Sequence, residues 1–249
     1  MTDGSPPGFP QILAALDGAP SVLDVGCGSG RLAVELAARG AAVTGIDTNA
    51  ARLDAARERA SAAGAGARFL RADMTEPLPF ADAELAAAVS RLSLMIAPDP
   101  VAVLREVARV VAPGGPIVTA VWSRIGQNPW FGEPRAAVAA ALGSERAEFA
   151  RVFGRLGDVD ELVGVHRAAG LEAEGVVVRD ELSPRSAAEH WRGLTGQIGH
   201  FTRLAAELTP AEEEAVLAEL ERRLGDGDSL RDGDSLRLGR SLVVVTARQ

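Results

Sequence analysis

Residues 22–30 read Val-Leu-Asp-Val-Gly-Cys-Gly-Ser-Gly, and a helical pattern opens directly afterwards at Arg31-Leu32-Ala33. An apolar strand ending in an acid, then a glycine turn, then a helix start is how α/β chains present backbone N–H groups and a helix N-terminus to an anionic group. Glycine matters in such a turn because a Cβ blocks close approach of a ligand to the backbone. The spacing is D-x-G-x-G-x-G. The dinucleotide fingerprint G-x-G-x-x-G needs glycine at position 31, which is Arg31, so the turn is weak evidence for NAD.

The pattern that follows alternates between two periods. Apolar runs predict strands at 21–25, 42–46, 67–71, 84–89 and 116–122, with helices between them at 30–39, 49–63 and 99–111. Gly40 and Gly64 sit where helix-ending glycines belong. Near-continuous apolar strands alternating with helices imply a mostly parallel sheet covered on both faces. A short helix is expected over Gln11–Leu16. After Trp122 the pattern becomes helical: an alanine-rich stretch within 123–155, a helix over Asp158–Ala169 stopped by Gly170, a sixth strand within Leu171–Leu182, and a glycine-interrupted helical region over Ser186–Leu208. Thr209-Pro210-Ala211-Glu212-Glu213 is a strong helix start, with a capping residue, proline in the first turn and acids near the positive end. That helix runs to Leu224, and Ser241–Ala247 is the last strand.

Two further acids sit where strands end. Asp47 closes the second strand about 20 residues after the first glycine, a position that suits a ribose diol. Asp73 follows the third strand, and Pro113-Gly114-Gly115 follows the helix at 99–111. In this order and at this spacing, these residues resemble the class I S-adenosylmethionine-dependent methyltransferases, in particular the small-molecule enzymes similar to those of ubiquinone and menaquinone biosynthesis. The resemblance covers residues 20–122 closely and the remainder loosely. It implies a Rossmann-like, seven-stranded, mostly parallel sheet with an antiparallel last strand, helices on both faces and a helical lid insertion. The whole of 1–249 is then one methyltransferase domain, with a cofactor-binding core at 20–122 and substrate-lid insertions at 123–155 and 184–224. The segment before the first strand is short, so substrate cover is expected mostly from the insertions.

Composition narrows the chemistry. The chain has a single cysteine, Cys27, which excludes an internal disulfide framework and is consistent with a reducing compartment. Its formal charge of −8 argues against binding a phosphate backbone and does not disfavour a cationic sulfonium cofactor. No apolar run approaches the roughly 20 residues needed to span a bilayer, and Met1–Pro10 lacks the apolar centre of a signal peptide. A cytoplasmic enzyme, monomeric or homodimeric, without a membrane or nucleic-acid partner and without a metal, is the expectation. The sequence contains neither lysine nor tyrosine. A P-loop, a pyridoxal phosphate Schiff base and the Tyr-Lys pair of short-chain dehydrogenases are therefore impossible here.

The resemblance assigns roles residue by residue. Gly26, Gly28 and Gly30, with Cys27 among them, let backbone N–H groups reach the methionine carboxylate of S-adenosylmethionine. Asp24 orders the loop and draws the ammonium, or only organises the loop. Asp47 accepts the ribose hydroxyls, a bidentate task suited to a carboxylate, or caps the helix near Asn49. Thr48 contacts adenine. Asp73 accepts the adenine amino group with Met74 on the ring, or is a surface turn acid. Ser90 ends the fourth strand beside the reacting methyl. Arg91 follows it and reaches substrate or cofactor, where relatives often carry a histidine base. The histidines are His166, expected on an exposed helix face, and His190 and His200, each beside an aromatic in the second insertion. His190 is the first candidate for a general base, and Arg91 the second candidate catalytic group. Trp122, Asn128, Trp130 and Phe131 concentrate aromatic surface after the fifth strand in a chain with only three tryptophans and seven phenylalanines. With Arg91 and His190 they are the candidate acceptor-binding residues, or else ordinary insertion core.

The activity this implies is methyl transfer to a small-molecule acceptor in small-molecule biosynthesis. O-methylation comes first, with N- or C-methylation as variants. The alternatives are a fold member that binds the cofactor and catalyses a cyclisation or rearrangement, and a non-catalytic cofactor-binding protein. One oddity stands apart: Asp226-Gly227-Asp228-Ser229-Leu230-Arg231 recurs as Asp232–Arg237. Two copies are too few for a calcium-binding solenoid, so a duplicated surface loop is the expectation.

Overall fold

The computed structural model describes residues 6–150, 152–225, 231–232 and 235–249. Most of the tandem repeat lies outside them. In chain order the elements are α1 (Phe9–Ala15), β1 (Ser21–Val25), α2 (Arg31–Ala38), β2 (Ala42–Asp47), α3 (Ala50–Ala62), β3 (Arg68–Arg71), β4 (Ala87–Arg91), α4 (Pro100–Val110), β5 (Ile117–Trp122), α5 (Pro129–Leu142), α6 (Val159–Ala168), β6 (Glu172–Leu182), α7 (Ala187–Gln197), α8 (Gly199–Glu207), α9 (Pro210–Gly225), β7 (Arg231–Asp232), β8 (Ser235–Leu236) and β9 (Leu238–Arg248).

Seven strands form one sheet in the order β3-β2-β1-β4-β5-β9-β6. The pairs β2–β3, β1–β2, β1–β4 and β4–β5 are parallel, and the sheet ends in antiparallel strands. The order reverses beside β1, which leads out towards β2 on one side and β4 on the other. In open α/β sheets that switch point is where the carboxyl ends of the strands leave a crevice. The expected Rossmann-like sheet is therefore the observed one.

The chain divides into two compact units. The first comprises Met1–Val121, Leu156–Val178 and Leu242–Gln249, and the second Trp122–Arg155 and Arg179–Ser241. In the first, the β5 residues Ile117 to Val121 are buried, as are Val22, Leu23, Val43, Ile46 and Val89. Strands covered on both faces have no polar alternation to display. The side chains of Asn49, Asp99 and Asp158 cap α3, α4 and α6. In the second unit, α5 packs along α9, and Phe131, Trp191, Leu194, Phe201, Val216 and Leu220 are buried. Thr209 and Glu212 cap α9 reciprocally. The Thr209 amide donates to Glu212 Oε2 (2.8 Å) and the Glu212 amide to Thr209 Oγ1 (3.3 Å), satisfying two donors that the helix itself leaves open.

Two expectations need correction. The fourth strand is Ala87–Arg91 rather than 84–89. Leu85 makes only an isolated bridge to Val111, because the Leu85 amide and carbonyl are used by Val110 and Ala112 at the end of α4. Ladder pairing with β1 begins two residues later, so Ser90 and Arg91 belong to the strand itself. His166 is fully buried, not exposed. It shares a face of α6 with Leu162 and Val163. Its Nδ1–H donates to the Leu162 carbonyl (2.8 Å), which leaves Nε2 to accept from Thr119 Oγ1 (3.0 Å). Burial lowers its pKa, so the imidazole is a neutral core group.

Candidate functional site

Parallel pairing sets the carboxyl ends of β1, β2, β3 and β4 along one edge of the sheet. Asp24 and the glycine turn, Asp47, Asp73, and Ser90 with Arg91 therefore gather at that edge although 67 positions separate Asp24 from Arg91. All belong to the first unit.

The turn from Gly26 to Gly30 is built by strain that only glycine carries cheaply. Gly26, Gly28 and Gly30 have φ of 71°, 55° and 73°, in the left-handed region that costs an L-residue about 1–2 kcal/mol. A Cβ on Gly26 would lie 2.3 Å from Ser93 Cβ, and one on Gly30 2.8 Å from Ala56 Cβ, whereas nothing lies within 4 Å of the corresponding position on Gly28. The outer glycines thus permit close packing, while the middle one borders open space. The amides do not form a free cradle. Those of Gly26 and Cys27 donate to the Ile46 carbonyl (2.8 and 2.9 Å), that of Gly28 to Asp47 Oδ2 (3.0 Å) and that of Gly30 to the Cys27 carbonyl (3.0 Å). Three of the four lock the turn onto β2. An anion approaching here meets the N-terminal end of α2 instead.

Asp24 is 2% exposed, and its Oδ2 is buried without a hydrogen-bond partner. Burial pushes its carboxyl up to about 7. The Arg91 guanidinium opposes that rise, and the Asp47 carboxylate adds to it. A buried carboxylate with one idle oxygen costs several kcal/mol unless a cation meets it. The donor chemistry therefore fits an incoming ammonium. The linkage has a definite sign. The folded-state value lies above the ordinary 3.8, so the contribution to stability is complete below about pH 4 and is lost as pH rises through about 7. Asp24→Asn is expected to raise the thermal stability of the ligand-free protein, and to raise it more at pH 8 than at pH 5. Melting curves at the two pH values check this; equal differences at both would refute the raised carboxyl.

Asp47 is half-buried and does not cap α3; Asn49 does. Asp47 Oδ1 accepts from the Asn49 amide (2.9 Å) and Oδ2 from the Gly28 amide. Thr48 is exposed, and its carbonyl accepts from Arg71 Nε (3.2 Å). Asp73 is exposed and organises its own turn. Its Oδ1 accepts from the Thr75 amide (2.9 Å) and hydroxyl (2.7 Å), which hold its carboxyl below the usual range. Met74 beside it is half-buried. Burial pushes the Cys27 thiol up, and Asp24 and Asp47 push the same way, so it is a protonated packing group.

Ser93 is a residue that sequence reasoning missed. Its hydroxyl donates to the Val25 carbonyl (2.5 Å), Ser90 Oγ donates in turn to Ser93 Oγ (2.7 Å), and the Leu94 amide donates to Ser90 Oγ (3.1 Å). This chain ties the end of β4 to the end of β1 directly under Gly26. The signal available was Ser90-x-x-Ser93 following an apolar strand. Arg91 donates from Nη2 (3.2 Å) and Nε (3.4 Å) to the Pro7 carbonyl and lies over the Phe9 ring at 5.1 Å.

The remaining candidates lie in the second unit and serve its interior. Asn128 is fully buried. Its Nδ2 donates to the carbonyls of Ser123 and Ser241 (both 3.0 Å), and its Oδ1 accepts from the Ser241 amide (2.7 Å). Trp122 and Phe131 are buried, and Trp130 packs on them at 5.2 and 6.1 Å. The other side of Trp130 carries Arg240 at 5.7 Å, itself held by Asp180 in a bidentate pair (2.6 and 2.8 Å). His190 is buried and donates from Nε2 to the Trp130 carbonyl (2.6 Å); burial lowers its pKa to about 4. That value leaves it neutral and a weak base at pH 7. His200 packs edge-on against Phe153 at 5.7 Å. Among the described residues no cluster of side chains is arranged to hold a metal ion, and no helix is long and apolar enough to cross a membrane.

Comparison with known proteins agrees with this geometry. A family model described as a methyltransferase domain matches residues 22–115. The ubiquinone biosynthesis O-methyltransferase of Pseudomonas savastanoi is 32% identical over 187 residues, covering 72% of this chain and 74% of that protein. An uncharacterized protein of Mycobacterium tuberculosis is 33% identical over 173 residues, which is 65% of this chain but 61% of that relative's length. Among solved structures, the YcgJ protein of Bacillus subtilis shares the fold with a TM-score of 0.66 at 14% identity, covering 97% of both chains. A glycine turn, an idle buried acid and a second acid at the switch point of such a sheet, together with these relatives, place the chain in the class I S-adenosylmethionine-dependent methyltransferases.

Proposed function

We propose that this protein transfers a methyl group from S-adenosylmethionine to a small-molecule acceptor, with a hydroxyl oxygen as the first-choice methyl-accepting atom. The observation that carries the reading is the buried Asp24 Oδ2 without a partner, beside the open space over Gly28 and the Asp47 carboxylate. When bound, the cofactor supplies a sulfonium methyl that is already electrophilic. The work left to the protein is therefore binding and alignment. Asp24 takes the ammonium, the N-terminal end of α2 takes the carboxylate, and Gly28 leaves room for both. Asp47 accepts ribose hydroxyls with the lone pairs its two amide donors leave. Asp73 offers its Oδ2 to the adenine amino group, with Met74 against the ring and Thr48 alongside. Ser93, itself held by Ser90, donates to the Val25 carbonyl, so the floor of the site is fixed before ligand arrives. The O-methyltransferase of ubiquinone biosynthesis among the relatives supports a hydroxyl-bearing acceptor. His190, neutral and tied to the Trp130 carbonyl, is proposed as structural support within the second unit rather than as the base.

The test is release of S-adenosylhomocysteine on incubation with S-adenosylmethionine and a panel of hydroxyl-bearing acceptors, alongside calorimetry. Turnover with one acceptor class supports the reading. Tight binding with no turnover across the panel favours a non-transferring cofactor-binding protein. Binding of NADH in place of S-adenosylmethionine overturns the cofactor itself.

A further inference from the structure

Arg91 stands at a junction that the proposed reaction does not use. Asp24 pairs with Val89 in the β1–β4 register. Side chains alternate along a strand, so Arg91, two residues beyond Val89, projects on the same face of the sheet as Asp24. From there its guanidinium reaches the Pro7 carbonyl through two N–H groups and stacks over Phe9. Phe9, Ile12 and Leu16 are buried, so this contact fastens the segment from Pro6 to Leu16 onto the first unit.

We infer that Arg91 is a positioning residue that couples the segment 6–16 to the occupancy of Asp24. With no ligand ammonium present, the guanidinium offsets the charge of the buried carboxylate and clamps the segment through Nε and Nη2. A ligand ammonium at Asp24 takes over the counter-charge role and repels Arg91, and the clamp on Pro7 and Phe9 loosens. Among the described residues, the groups that act electrostatically on Asp24 include Arg91 from β4, Asp47 from β2, Cys27 from the turn and the Ala33 amide from α2. Arg91 is the cation among the side chains that act on it. The inference rests on the cofactor reading above.

Two ligands separate the effects. S-adenosylhomocysteine carries the ammonium, and 5′-methylthioadenosine has the same nucleoside without the amino-acid group. Hydrogen exchange of the peptide spanning 6–16 is expected to quicken several-fold with the first and to stay unchanged with the second. In Arg91→Leu that peptide exchanges fast in all three states. The pH midpoint of S-adenosylhomocysteine affinity moves up in Arg91→Leu, because Asp24 has lost its counter-charge, and returns in Arg91→Lys. Affinity for methylthioadenosine is the same in all variants, which also shows that they fold. Slowed or unaltered exchange despite bound S-adenosylhomocysteine overturns the coupling alone, as does an unmoved pH midpoint. Failure of both ligands to bind wild-type protein overturns the cofactor reading and the coupling with it.

Discussion

Alanine at Gly26 and alanine at Gly28 are expected to fail in different ways. At Gly26 the new Cβ meets Ser93 Cβ at 2.3 Å with φ at 71°, so steric overlap adds to backbone strain. The two together amount to about 2–5 kcal/mol of lost stability. Ser93 cannot retreat freely, because its hydroxyl is held by Val25 and Ser90. Gly26→Ala is therefore expected to lower the melting temperature sharply, and adding Ser93→Gly relieves the overlap but leaves the strain and gives up the hydroxyl's bonds to Val25 and Ser90. At Gly28 nothing lies within 4 Å. Gly28→Ala meets only strain, about 1–2 kcal/mol, yet it fills the space a ligand needs. Its fold survives while S-adenosylmethionine binding is lost. Thermal unfolding and calorimetry on the two variants decide the matter. Equal melting temperatures, or a Gly28→Ala protein that binds normally, would remove the assigned division between packing and access.

Asp47→Ala is expected to weaken S-adenosylmethionine binding by about 1–3 kcal/mol, the range for losing charged hydrogen bonds from a polar site. Two losses contribute. On the proposed reading the carboxylate no longer meets the ribose hydroxyls, and the Gly28 amide loses the Oδ2 that anchors the turn. Asp47→Asn separates them. Its amide oxygen still accepts one N–H, so the turn stays in place, but the bidentate negative acceptor is gone. Calorimetry should rank wild type above Asp47→Asn above Asp47→Ala. Equal affinity across the three would refute the ribose role.

Much of the sheet edge that carries the candidate cofactor residues was legible from the chain because its signals are local. Strand periodicity, three alternating glycines, and acids that close successive strands each depend on residues near in sequence, and parallel pairing then gathers the strand ends without further instruction. The helix starts at Asn49, Asp99, Asp158 and Thr209 were readable for the same reason, since a cap acts on amides two or three positions away. The end of the fifth strand and the first insertion were harder. Asn128, Trp122 and Phe131 carry polar or aromatic chemistry that reads equally as ligand-binding or as interior. Asn128 proves to spend its whole amide on Ser123 and Ser241, the latter 113 positions away. His166 was misjudged because Arg167 beside it suggested a solvated face. The i, i+4 step from Leu162 was the better guide.

The amino-acid sequence by itself determined the sheet, the glycine turn, and the presence of Asp24, Asp47 and Asp73 at strand ends, because each follows from backbone propensity and spacing. Only the tertiary structure decided what those groups have left to offer. It placed Ser93 under Gly26, spent the turn's amides on Ile46 and Asp47, left one oxygen of Asp24 idle, and fastened Arg91 to the Pro7 carbonyl. Hydrogen-bond satisfaction and desolvation depend on every neighbour a group acquires, and those neighbours come from β1, β2, β4 and the first helix at once.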